Sequence, residues 1–345
     1  MNKKDFWRIT LDTNPDICNL KCVMCEDHSP YSESRKERRN NGRLRANMDR
    51  NLLEKVIREA AAMGVSEVIP STMGEPLLYP HFDVILELCH ELDLSLNLTT
   101  NGTFPSSDKD RNVEYWANQI VPIASDVKIS WNGISDKTQN GIMLGADLSQ
   151  HIDNARRFIS IRDEWSQKHY CSMTMQLTFM KSNLDEIPEL LELAIEMGFD
   201  RIKGHQLWAH FPELAEENLR NDSELSERWN LVVKHCRERV EKHNKTANRP
   251  FKLDNFFTLQ LDPSNNTAAN GDCPFLGQEI WVDPSGRFNV CCAPDQQRKS
   301  LGDFGNLAEE SLQSLASSLQ YQKLMSSYHA HSLCQQCTMR KPLSA

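Results

Sequence analysis

Three cysteines fall within eight residues in the run Cys18-Asn19-Leu20-Lys21-Cys22-Val23-Met24-Cys25. Sulfurs this close along the chain cannot each reach a disulfide partner without severe backbone strain. They can close together around one soft metal centre. Three thiolates from a short loop suit an iron–sulfur cubane and leave its fourth iron open. A small molecule can bind there while the cluster donates an electron. Zinc is the competing occupant, with His28 as a fourth ligand. The usual zinc knuckle, however, pairs two Cys-x2-Cys units, and this loop reads Cys-x3-Cys-x2-Cys.

A second, more dispersed set lies far downstream: Cys273, Cys291 with Cys292 beside it, and Cys334-Gln335-Gln336-Cys337. Residues 280–283 and 287–291 flank Pro284-Ser285-Gly286, the pattern of a β-hairpin with a glycine-bearing turn. Residues 312–328 read as a helix that leads into the last two cysteines. Four thiolates from a hairpin, a connection and a Cys-x2-Cys turn make a complete cage, which a zinc ion or an iron–sulfur cluster would fill. With Cys291 at the end of a strand, Cys292 would point to the other face.

The bulk sequence limits what surrounds these sites. The chain has 345 residues, 39% hydrophobic and 25% charged, with a net charge of −9. That accommodates one large α/β domain and an appendage. The acidic balance argues against nucleic acid as a partner. The first residues lack an apolar core and a cleavage-like site, and no run of about 18 apolar residues occurs, so neither membrane insertion nor export is expected. A cytoplasmic location follows, and in a reducing compartment the eleven cysteines read as ligands or catalysts rather than disulfides.

The elements that must hold the first loop alternate between strand and helix. Residues 7–13 alternate as a strand. A helix over 49–63 starts at Asp49 and ends at Gly64, followed by a strand over 65–70. A helix over 80–92 precedes a strand over 94–100, stopped by Asn101-Gly102. A helix over 113–124 precedes a strand over 126–131, closed by Asn132-Gly133. A helix over 148–167 leads to a strand over 172–180. A helix over 184–197, ended by Gly198, leads to a strand over 201–207. Six such β/α units predict a parallel sheet curled into an incomplete barrel, with chemistry at the C-terminal strand ends.

Cys18-x3-Cys22-x2-Cys25, just after the first strand, resembles the signature of the radical S-adenosylmethionine (SAM) superfamily. The position before the last cysteine is commonly aromatic in that family; here Met24 stands there, a polarizable apolar cover. The resemblance spans about residues 7–207 and implies a partial (β/α)6 TIM barrel with a 4Fe–4S cluster that binds SAM. Gly74-Glu75-Pro76, after the second strand, resembles the motif that binds the SAM amino group. Thr99-Thr100-Asn101-Gly102 resembles the family's Thr-Asn-Gly element near SAM. Ser130 matches a frequent contact to the SAM ribose or carboxylate.

The series Cys273 … Gly286-x4-Cys291 … Cys334-x2-Cys337 resembles the twitch domain, the shortened form of the SPASM extension. It implies one auxiliary 4Fe–4S cluster on Cys273, Cys291, Cys334 and Cys337, the glycine spacing favouring Cys291 over Cys292. The domain organisation is then a barrel over 1–208, a helical connection over 209–272 and a twitch/SPASM-like extension, a β-hairpin plus a helix, over 273–345.

The family chemistry follows. A flavodoxin or ferredoxin supplies one electron, SAM splits to methionine and a 5′-deoxyadenosyl radical, and the radical takes a hydrogen atom from substrate. An auxiliary cluster with no open iron suits electron acceptance, so the resemblance implies a radical SAM oxidoreductase. Oxidative modification of a ribosomally made peptide is the favoured reading; dehydrogenation of a sugar or cyclitol alcohol is the alternative. Many peptide maturases carry an N-terminal leader-binding domain, whereas here the barrel begins almost at once. Readings of another class are a non-catalytic iron–sulfur electron carrier and a zinc-stabilised scaffold. Lys203 and His205, with Trp208, fall at the end of the sixth strand as candidates for substrate contact or proton removal. Cys89, Cys171 and Cys236 read as core thiols, any of which could in principle donate a hydrogen atom. Residues 26–47, with Arg35, Lys36, Arg38, Arg39, Arg43 and Arg45, read as a solvated loop. Their functional reading is a docking surface for an acidic flavodoxin or a lid over an anionic substrate.

Overall fold

The computed structural model describes residues 6–70, 73–105, 110–261, 271–293, 295–337 and 339–340. Its strands, in chain order, are β1 (Arg8–Leu11), β2 (Lys21–Cys22), β3 (Glu67–Ile69), β4 (Ser95–Thr100), β5 (Ala124–Ser130) and β6 (Met143–Leu144). They continue with β7 (Ser172–Phe179), β8 (Arg201–Gln206), β9 (Lys252–Asp254), β10 (Glu279–Val282) and β11 (Phe288–Asn289). The fold is α/β. The chain divides into two compact units: one takes the described residues of Met1–Ile17, Arg45–Asn97 and Thr267–Ala345, the other Cys18–Leu44 and Leu98–Asn266.

In the first unit β1 lies between β3 and β10, parallel to both, with Ile9 opposite Val68 on one side and Ile280 on the other. β3 pairs in parallel with the start of β4. Ile9, Leu11, Val68, Leu96 and Ile280 alternate onto one face and are fully buried. The other face is ionic at its base: Arg8 reaches Glu67 at 2.5 Å and Glu279 at 3.7 Å. The helix Arg50–Ala62 buries Leu53, Val56, Ile57 and Ala60, an i, i+3, i+4, i+7 stripe. Asp49 caps it, accepting the N–H of Asn51 at 2.8 Å. β10 and β11 form the expected antiparallel hairpin, and β10 also extends the parallel pairing beside β1.

In the second unit β5, β7, β8 and β9 run parallel as neighbours. Val127, Ile129, Met173, Met175, Phe179 and Ile202 form one fully buried face. Phe179 packs against Trp229, tilted, at 4.4 Å and edge-on against Phe256 at 5.0 Å between ring centroids. Trp229 comes from the helix Ser223–Asn244. A Cβ on Gly204 would stand 1.9 Å from the Phe179 ring, so β8 carries a glycine where that ring lies against the sheet.

Several sequence expectations are corrected. The helix over 113–124 stops at Ile120, and β5 begins at Ala124. The helix over 312–328 is two helices, Leu312–Ala316 and Leu319–Ser327, because the Ser318 side chain turns to accept the N–H of Tyr321 and starts a new helix. Residues 184–186 lie in a 3-10 turn ahead of the helix Ile187–Met197. Residues 26–47 are not all loop, for Glu33–Asn40 is a helix that buries none of its side chains. No helix among the described residues is long and apolar enough to cross a membrane.

Candidate functional site

The first three cysteines sit in the second unit. Cys22 lies on β2, paired antiparallel with β6 opposite Met143. The chain then turns: Cys25 N–H donates to the Cys22 carbonyl at 3.1 Å and Ser29 N–H to the Cys25 carbonyl at 3.3 Å. The turn aims the N–H of His28 at Cys25 Sγ, 3.4 Å away. Burial pushes the Cys25 thiol up, while main-chain N–H groups of His28 and Asp27 oppose it by favouring the sulfur anion. Cys18, Cys22, Val23 and Met24 pack on an apolar floor that includes Leu20, Ile142, Met143, Met180 and Leu207. Met24 is thus held against apolar neighbours, as a cover would be.

Asn101, just past the end of β4, donates to Cys18 Sγ at 3.8 Å and to Asn19 Oδ1 at 2.8 Å. Its own oxygen accepts the Thr103 N–H at 3.0 Å. Asn19 in turn donates to Thr103 Oγ1 at 2.9 Å. The Thr-Asn-Gly element is therefore bound directly to the start of the cysteine loop. Ser130 ends β5, opposite Gln176 of β7.

Gly74-Glu75-Pro76 belongs to the first unit. A Cβ on Gly74 would fall 2.0 Å from the Asn14 carbonyl oxygen and 2.7 Å from that of Ile17. Glycine is required here because two backbones meet. Glu75 N–H donates to the Ile17 carbonyl at 2.9 Å, and Asn14 Nδ2 donates to the Glu75 carbonyl at 2.8 Å. The motif thus fastens the segment that follows β1, at Asn14 and Ile17. Pro76 opens a 3-10 turn over Pro76–Leu78, and the buried Glu75 side chain caps it.

The C-terminal cysteines are in the first unit. Cys273 Sγ accepts the Leu276 N–H at 3.4 Å, and Cys291 Sγ accepts that of Ala293 at 3.4 Å. Cys334 lies in a short helix, Ser332–Gln335, and the Cys337 N–H returns to its carbonyl at 3.4 Å. Arg340 binds the carbonyls of Gly271 at 2.5 Å and Cys334 at 3.3 Å, tying the two ends of the set. Cys291 and Cys337 both act electrostatically on Cys273 and Cys334. Cys292 does not turn away as strand alternation predicts. β11 ends at Asn289, so alternation no longer applies, and Cys292 hydrogen-bonds to Cys291. That bond lowers the Cys291 thiol to about 7.

All eleven cysteines are free. Among the described residues no group of three or more Cys, His, Asp or Glu side chains could hold a metal ion as it stands. Main-chain N–H groups are directed at the sulfurs of both sets. The donor chemistry still fits soft iron–sulfur centres: thiols in two sets, with N–H groups pointed at sulfur. Cys89, Cys171 and Cys236 are buried, each pushed up to about 12 chiefly by desolvation, as core thiols are.

Sequence reading named Ser130, Lys203 and His205 but not the rest of the polar face they share in the second unit. Asp126, Lys128 and Ser130 of β5, Thr174, Gln176 and Thr178 of β7, and Arg201, Lys203 and His205 of β8 share it by alternation and register. Its base is closed by ion pairs: Arg201 to Asp126 at 2.7 Å and to Asp254 at 3.3 Å, and Lys128 to Asp126 at 3.3 Å. The period-2 pattern in SDVKIS, TMQLT and RIKGH carried this signal. His205 is held near 4 by burial and by the positive charges of Lys203 and Lys128, so its imidazole is neutral.

Thiol sets at the head of the chain and at a C-terminal hairpin, on an α/β fold with parallel strands, define an iron–sulfur enzyme of the partial-barrel class. The chain belongs to the radical SAM superfamily, whose family model matches residues 15–194, and it carries the SPASM iron–sulfur cluster-binding domain over residues 273–338. These domains bring SAM and 4Fe–4S clusters. Two curated relatives are similar. The tungsten-containing aldehyde ferredoxin oxidoreductase cofactor-modifying protein of Pyrococcus furiosus is 23% identical over 203 residues, 58% of this chain and 51% of that protein. The PqqA peptide cyclase of Methylobacterium sp. is 24% identical over 237 residues, 65% of this chain and 53% of that protein. The chain thus matches about half the length of each of these relatives. Streptococcus suis SuiB bound to S-adenosylmethionine shares the fold at a TM-score of 0.65 and 17% identity, over 97% of this chain and 72% of SuiB.

Proposed function

We propose that this radical SAM enzyme oxidises a peptide, with the two thiol sets dividing the work. Cys18, Cys22 and Cys25 hold the cluster that binds SAM. Gly74, Glu75 and Pro76 receive the SAM amino group; Thr100 and Asn101 lie near SAM, and Ser130 contacts its ribose or carboxylate. Cys273, Cys291, Cys334 and Cys337 hold an auxiliary cluster. When bound, the first cluster supplies the electron that splits SAM and so the radical that removes a substrate hydrogen atom.

The observation that carries the reading is the second thiol set. Four ligands, Cys273 before the hairpin, Cys291 just past it and the Cys334-x2-Cys337 turn, leave no iron open, which suits removal of the second electron from substrate. A peptide is favoured because PqqA peptide cyclase is a relative and SuiB has been seen with its precursor peptide SuiA. We assign substrate contact to Lys203 and His205, which share the polar face of β8. His205 carries a neutral imidazole, suited to hydrogen-bond the substrate. A flavodoxin or ferredoxin supplies the electron.

The test incubates the reconstituted protein, reductant and SAM with peptides encoded next to its gene. Peptide lighter by two hydrogens, together with 5′-deoxyadenosine, supports the reading. Turnover of an alcohol to a ketone with all peptides unchanged would replace it with the small-molecule dehydrogenase.

A further inference from the structure

We infer that Lys203 and His205, with Lys128 behind them, form a receptor for a carboxylate group of the substrate. This deepens the reading above: the peptide would present an acidic side chain or its C-terminus to this face.

The argument starts from strand register. Lys203 is opposite Gln176, and His205 is opposite Thr178, two residues further toward the C-terminal end of β8. Lys128 lies on the same face of β5. Lys203 and Lys128 are cations and hydrogen-bond donors. His205 could be a donor or an acceptor, and Asn255 decides which. Asn255 follows β9 with a φ of +66°, a left-handed conformation that asparagine tolerates. Its Nδ2 donates to the Gly204 carbonyl at 3.0 Å and lies 3.4 Å from His205 Nδ1. An amide nitrogen only donates, so Nδ1 is the acceptor and the proton of the neutral ring sits on Nε2. Lys203 and His205 thus both offer N–H from one strand, within the positive field that already acts on the imidazole. Such donors favour an anionic oxygen over a neutral one, since charge-assisted hydrogen bonds are roughly twice as strong. Lys128 and Arg201 are held by Asp126 below, which fixes the floor of the site. Asn255 acts as a positioning residue through the ring.

The test titrates glutarate, and separately its neutral analogue glutaramide, into the reconstituted, SAM-loaded protein by calorimetry. Glutarate should bind at least about tenfold more tightly than glutaramide, a gap of about 1.4 kcal/mol. Lys203→Gln should erase the preference. His205→Gln, which keeps an amide donor, should retain most of it, whereas His205→Leu should not. Asn255→Gly, which accepts the positive φ, should reduce the preference with the thermal midpoint held. Arg228→Gln, at the exposed pair with Asp185, should leave it unchanged. Equal binding of the two probes, or a preference that survives Lys203→Gln, would overturn the inference. Peptide oxidation measured on the same samples separates the two readings. Oxidation without carboxylate preference removes only the receptor. Carboxylate preference with no peptide oxidised removes only the peptide reading.

Discussion

Asn101 gives a side-chain N–H to the sulfur of Cys18 at 3.8 Å, so the loop after β4 and the first cysteine of the triad are joined directly. The same amide fixes Asn19 and Thr103, which leaves it little freedom to turn away. An N–H pointed at a cluster sulfur stabilises the more negative, reduced state. Asn101→Ala should therefore lower the potential of the SAM-binding cluster. A hydrogen bond of about 1 kcal/mol corresponds to roughly 40 mV for a one-electron couple. A redox titration followed by electron paramagnetic resonance measures it. An unchanged potential would mean that the bond does not persist on the assembled cluster.

Gly74 makes a prediction through packing alone. Its missing side chain lets the chain pass against the Asn14 and Ile17 carbonyls. Gly74→Ala must push these segments apart, at a cost of about 1–3 kcal/mol. Both Glu75 and the segment from Asn14 to Ile17 would move. The expected outcome is a lower thermal midpoint and SAM affinity weakened at least about tenfold, about 1.4 kcal/mol, read by equilibrium binding. Gly42, where a Cβ meets nothing within 4 Å though φ is +63°, is the comparison. Gly42→Asn should leave SAM affinity intact.

The buried histidines set a pH dependence. Burial holds both His151 and His205 near 4 in the folded chain, against about 6.5 when unfolded. Between those values the unfolded state binds more protons, so stability falls as pH drops from about 6.5 toward 4. The loss is on the order of 2–3 kcal/mol per histidine once pH reaches the folded value. Urea midpoints of the wild type and a His151→Gln/His205→Gln variant should converge as pH falls through this window. Parallel curves would show that other groups carry the acid sensitivity.

Gly204 offers a test of the sheet itself. Alanine there would place a methyl group into the Phe179 ring, which is already packed by Trp229 and Phe256. Gly204→Ala should destabilise by about 1–3 kcal/mol in a denaturant titration. A Phe179→Leu/Gly204→Ala double variant should recover part of the loss, because the smaller side chain leaves room.

The parts that were legible in the sequence are those whose determinants are local. The cysteine triad lies in one loop, and its spacing is its chemistry. The parallel strands announced themselves through alternation, as in β7, where Met173, Met175, Leu177 and Phe179 share one buried apolar face. The helix Glu33–Asn40 escaped notice because it buries nothing and so has no apolar period. The break at Ser318 was hidden because the flanking residues continue a plausible helix, with Leu319 90% exposed. The pairing of β10 with β1 joins residues about 270 apart in sequence, and no local pattern specifies such a partner. The role of Asn255 depends on a three-residue strand, too short and charged to recognise by pattern.

The most direct measurement counts iron and sulfide after anaerobic reconstitution and then assays 5′-deoxyadenosine under reducing conditions with SAM. It compares the wild type, a Cys18/Cys22/Cys25→Ala variant and a Cys273/Cys291/Cys334/Cys337→Ala variant. Two thiol sets with separate roles predict about eight irons in the wild type and about four in each variant, with 5′-deoxyadenosine lost when the first set is removed. Zinc in place of iron, or 5′-deoxyadenosine still formed without Cys18, Cys22 and Cys25, would contradict it.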